Sequence, residues 1–84
     1  KKKVTLTADL DVDELLSRIA ARYSGDQPIT IDGVKINFTA SWVHLRKSNT
    51  EPIIRIYTEA QTQIEADDLA DRFIAELKAT AASL

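Results

Sequence analysis

Hydrophobic and polar positions follow two spacings along this chain, and the switches between them divide it into elements. Residues 3–7 set Val4 and Leu6 between polar neighbours, the alternation of a short strand. Leu15, Leu16, Ile19, Ala20 and Tyr23 then fall on one face of a helix, with Asp11 and Glu14 at capping-box spacing ahead of them. Gly25 predicts the stop of that helix, and Asp26-Gln27-Pro28 extends the break. Period two returns at residues 29–31 and 34–38, which flank Asp32-Gly33, a strong hairpin turn. Residues 41–46 and 53–60 predict two further strands. Thr62 and Glu65 open a second helix as a capping box, and Ala66, Leu69, Ala70, Phe73 and Leu77 form its core stripe.

Parity then assigns faces. With Val34, Ile36 and Phe38 turned to the core, Val43, Leu45, Ile54 and Ile56 turn the same way. Side chains alternate across a sheet, so Trp42, His44, Arg46, Arg55 and Tyr57 point to the other face. Antiparallel sheets commonly cover one face only. The expected fold is therefore α+β: a two-layer domain with a four-stranded antiparallel sheet, room for a short additional edge strand, and both helices on one face.

Composition narrows the class. The 84 residues make one small domain over 1–84, and a hydrophobic content of 44% suits a globular protein. A net charge of -2 argues against a global basic field for nucleic acid or an acidic membrane. With no cysteine there is neither a disulfide framework nor a thiolate metal site. No apolar run approaches a membrane span. The start at Lys1 without methionine suggests a piece of something longer, and Lys1, Lys2 and Lys3 read as a solvated terminus.

The chemistry concentrates between the last two strands. Arg46-Lys47-Ser48-Asn49-Thr50-Glu51-Pro52-Ile53-Ile54-Arg55 gathers two arginines, a lysine, two hydroxyls and an amide around a turn. An arginine fork matches phosphate oxygens two at a time, and the amides of a tight loop can converge on an anion. Pro52 stiffens the exit from the turn, and Glu51 either holds an arginine or faces outward. Ser, Asn and Thr are also ordinary turn residues, so a plain polar hairpin with charged shoulders accounts for the same composition.

Arg46-x-Ser48-Asn49-Thr50-Glu51-Pro52, with Arg55 and Tyr57-Thr58-Glu59-Ala60, resembles the phosphate-binding motif in the C-terminal domain of the alpha-D-phosphohexomutases. Asp32-Gly33-Val34-Lys35-Ile36 and Trp42-Val43-His44-Leu45 resemble the preceding strands of the phosphomannomutase/phosphoglucomutase branch. The resemblance covers about the whole chain and implies a TBP-like fold. It also implies the last of four domains in a cytoplasmic isomerase that moves a phosphoryl group between the 1 and 6 positions of a hexose. In such enzymes a phosphoserine and a magnesium ion lie in other domains, while the C-terminal domain grips the phosphate that is not reacting. By that likeness Arg46, Ser48, Asn49, Thr50 and Arg55 are phosphate ligands. No catalytic residue, metal ligand or cofactor is expected in this domain, which alone should be inactive. Its expected partners are a hexose phosphate and the other domains of the same enzyme, without nucleic acid or membrane. A phosphoglucosamine mutase is the near alternative.

The other candidates have plainer readings. Asp9, Asp11 and Asp13 alternate as in a calcium loop, but that loop needs glycine at its sixth position and glutamate at its twelfth, where this chain has Glu14 and Ala20. They read as helix N-terminal charges. His44, the single histidine, reads as a surface or interfacial residue. Trp42 and Tyr57 on the non-core face predict contact with a neighbouring domain, at least at one edge. They also fit a nucleic-acid or polyanion module stacking bases on an open sheet, against which the acidic balance counts. A purely structural or subunit-interaction domain is the third alternative. Asp67, Asp68, Asp71 and Arg72 read as a solvated helix face.

Overall fold

A computed structural model gives the fold, and it describes residues 2–5, 11–26, 33–48 and 53–84. The elements are β1 (Lys2–Thr5), α1 (Val12–Arg22), a short 3-10 turn (Ser24–Asp26), β2 (Val34–Asn37), β3 (Trp42–Lys47), β4 (Ile53–Glu59) and α2 (Gln63–Ala82). The architecture is α+β, with the sheet in the order β1-β4-β3-β2 and every neighbouring pair antiparallel. Residues 29–31 and Asp32, half of the hairpin read from the sequence, lie outside the described residues, as do Leu6 and Thr7.

Both helices start where the capping signals lie. The Asp11 carboxylate accepts the Glu14 amide at 3.0 Å, and the Thr62 hydroxyl accepts the Glu65 amide at 3.1 Å. Each bond satisfies one of the amides that a first helical turn leaves without a partner. The end of α1 differs from expectation. It stops at Arg22, with Tyr23 as its cap, and Gly25 lies inside the 3-10 turn that follows. Tyr23 itself packs against the core.

Leu15, Leu16 and Ile19 of α1 pack with Ala70, Phe73 and Leu77 of α2 over Val34, Ile36, Val43, Leu45, Ile54 and Ile56 of the sheet. The sheet residues in this cluster are alternate positions of their strands, so both helices lie on one face, as parity predicted. Gly33 is needed to start β2. Its φ is +82°, and a Cβ there would come within 2.1 Å of the Leu45 carbonyl oxygen.

Asp67, Asp68, Asp71 and Arg72 are all exposed, as the solvated-face reading has them, and Arg72 also makes contacts of its own. Tyr23, Phe38 and Phe73 form a cluster with ring centroids 5.3 to 6.4 Å apart. The Arg72 guanidinium lies within 5.9 Å of all three ring centres and donates to the Tyr23 hydroxyl at 2.9 Å. Tyr23 also donates to the Glu76 carboxylate, which accepts from Arg22 at 3.1 Å, while Arg22 reaches the buried Thr80 hydroxyl at 3.0 Å. This network fastens the end of α1 to α2.

Candidate functional site

The face of the sheet away from the helices is organised in cross-strand rows. Arg46 of β3 and Arg55 of β4 are direct Cα partners, and both are exposed. The Ser48 amide donates to the Ile53 carbonyl at 3.0 Å and closes the hairpin. On the same alternation, Arg46 and Arg55 form a hydrogen-bonded pair with Cα atoms about 5.5 Å apart. As direct partners, both arginines leave the same face of the sheet beside the turn. Asn49, Thr50, Glu51 and Pro52 lie outside the described residues. Of the five residues expected to bind phosphate, three are described: Arg46 and Arg55 as partners, and Ser48 at the mouth of the turn.

Register adds a position that residue types did not reveal. Lys3 of β1 is the Cα partner of Arg55 on its other side. The row thus runs Lys3, Arg55, Arg46 across three strands. Sequence reading placed Lys3 in a solvated terminus, since nothing local indicates which strand it joins.

Lys47 turns the opposite way from Arg46. Its ammonium bonds the Asp13 carboxylate in the first turn of α1 at 2.9 Å. Asp11 caps the helix and Asp13 holds the root of the loop, so these acids serve as helix-terminal charges. Among the described residues no group of three or more His, Cys, Asp or Glu side chains comes together to hold a metal ion.

Beyond the arginines the open face becomes aromatic. His44 and Tyr57 are Cα partners one row on, with ring centroids 6.3 Å apart. In the next row the Trp42 indole N–H donates to the Glu59 carboxylate at 3.1 Å, and the Lys35 ammonium lies 4.7 Å from the Trp42 ring centre. These side chains are half-buried or exposed, and none belongs to the core under the helices.

A family model for the phosphoglucomutase/phosphomannomutase C-terminal domain matches residues 2–76. The chain belongs to this family. Similar proteins include a phosphoglucosamine/phosphogalactosamine mutase of Sulfurisphaera tokodaii, 45% identical over 73 residues, which cover 84% of this chain and 16% of that protein. A probable phosphoglucosamine mutase of Pyrococcus abyssi is 36% identical over 75 residues, covering 86% of this chain and 17% of that protein. A phosphomannomutase/phosphoglucomutase of Pseudomonas syringae pv. tomato is 35% identical over 82 residues, covering 98% and 17%. The chain spans about one sixth of the length of these curated relatives. As a phosphohexomutase C-terminal domain, it offers the arginine row as its most specific chemistry. No helix among the described residues is long and apolar enough to cross a membrane.

Proposed function

We propose that residues 1–84 form one TBP-like domain, the C-terminal phosphate-binding domain of a four-domain cytoplasmic phosphohexomutase. The parent enzyme is an isomerase that moves a phosphoryl group between the 1 and 6 positions of a hexose. Arg46, Ser48, Asn49, Thr50 and Arg55 hold the phosphate that is not reacting, so they are ligands and not catalysts. The carrying observation is the direct pairing of Arg46 with Arg55 at the root of the family's motif. Like charges placed opposite each other in a sheet cost about 0.2 to 1 kcal/mol, and a bound dianion converts that cost into two bidentate contacts. Gripping a remote phosphate aids the rate because its binding energy orients the reacting end.

Magnesium and the phosphoserine belong to other domains of the parent. The remaining partners are those domains. They approach the open face at its Trp42 end, where an indole and a lysine stem offer amphipathic surface. The substrate is a mannose or glucose phosphate in the leading reading. A glucosamine phosphate is the second, favoured by the 45% identity to the Sulfurisphaera tokodaii protein.

An NMR titration of the isotope-labelled chain with inorganic phosphate tests the clamp. Shifts at millimolar phosphate centred on residues 46–55 are expected; shifts confined elsewhere, or none, remove the loop as a self-contained site. In the parent enzyme, Arg55→Ala should lower kcat/KM for hexose phosphates while phosphorylation of its serine survives. Comparing kcat/KM for mannose, glucose and glucosamine phosphates separates the two substrate readings.

A further inference from the structure

We propose that the His44–Tyr57 pair is the floor on which the hexose ring of a phosphosugar rests while its phosphate is held at Arg46 and Arg55. The inference rests on the phosphate-clamp reading and adds a contact to the sugar itself. Three observations carry it.

The first is position. His44–Tyr57 is the next pair on the same face after Arg46–Arg55, two residues along each strand. That step is about 6.7 Å. A hexose ring is joined to its 6-phosphate through one carbon and one oxygen, so its centre falls within about one row of the phosphorus. A phosphosugar leaving the arginines along the strands toward the next row lies over this pair.

The second is chemistry. The two rings are 6.3 Å apart and tilted by 44°, a pair of adjacent, inclined aromatic surfaces. The C–H groups on one face of a pyranose match such surfaces.

The third is exposure. Both side chains are half-buried and lie outside the cluster beneath the helices. They are held in place by the sheet and still have surface to offer.

The test uses the labelled chain with two probes, inorganic phosphate and glucosamine 6-phosphate, and reads backbone amides and the ring signals of His44 and Tyr57. Inorganic phosphate should shift the 46–55 loop. The sugar phosphate should shift the same loop and, in addition, the rings. Replacing Tyr57 or His44 by leucine keeps an apolar strand residue and removes the aromatic surface. Each replacement should weaken glucosamine 6-phosphate about three- to tenfold, the size of one aromatic contact, and leave inorganic phosphate within about twofold. Equal losses for both probes would make the pair structural and overturn the proposal. Loop shifts with both probes, without ring shifts or selective loss, would overturn it while leaving the clamp intact. No loop shift with either probe would overturn the clamp, and the floor with it.

Discussion

Arg46 and Arg55 face each other across the β3–β4 ladder, two cations in one row with Lys3 as the next register position. A sheet selected for stability alone would place opposite charges or apolar pairs there. Replacing Arg55 with threonine should therefore leave stability within about 1 kcal/mol of the parent chain. The same change should weaken inorganic phosphate severalfold. Urea unfolding and an NMR phosphate titration on one sample set measure both. A large loss of stability would mark Arg55 as a structural residue.

Gly33→Ala should destabilise the chain by more than about 2 kcal/mol, since φ is positive and the new methyl meets a main-chain oxygen rather than a flexible side chain. Leu45 and Arg46 supply the atoms that such a Cβ would strike. The variant's residual folded population should also bind phosphate more weakly. Chemical denaturation gives the first effect and titration the second.

Tyr23 links folding to alkaline pH. Burial, and then the hydrogen bond to the Glu76 carboxylate, push its hydroxyl above the ordinary tyrosine pKa against the opposing pull of Arg72. The folded chain holds this proton more tightly than the unfolded chain. That contribution to stability is complete below a pH of about 10 and is lost as pH rises through the folded value. Tyr23→Phe should cost about 1 to 2 kcal/mol at neutral pH. Its stability should fall less than the parent's when pH is raised past about 10. Parallel curves for the two proteins would contradict this coupling.

The two capping residues act at distant sites. Asp11→Ala and Thr62→Ala should each cost about 1 kcal/mol, and the double variant about the sum. Thermal unfolding of the three variants measures this. Loss of Asp11 should leave the Lys47–Asp13 bridge in place, because that bond uses a different carboxylate, two residues along the chain.

Sequence and tertiary structure divided the determination along the range of the interactions involved. Caps at Asp11 and Thr62, the two core stripes and the opposite faces of Leu45 and Arg46 follow from neighbours a few residues apart, where periodicity and hydrogen-bond geometry act locally. The loop motif was legible in the same way, as a dense run of phosphate-binding residue types. What the sequence could not specify was register and long-range closure. That Arg46 meets Arg55 rather than a residue two places away, and that Lys3 joins the same row, depends on how the hairpin closes at Ser48–Ile53 and which strand β1 pairs with. The partners of Arg72 were illegible for the same reason. Its helix position is solvated, as its neighbours suggest, but Tyr23 and Phe38 arrive from elsewhere in the chain and supply the rings beneath it. A side chain's nearest sequence neighbours decide which way it points, whereas only the folded chain decides what it meets there.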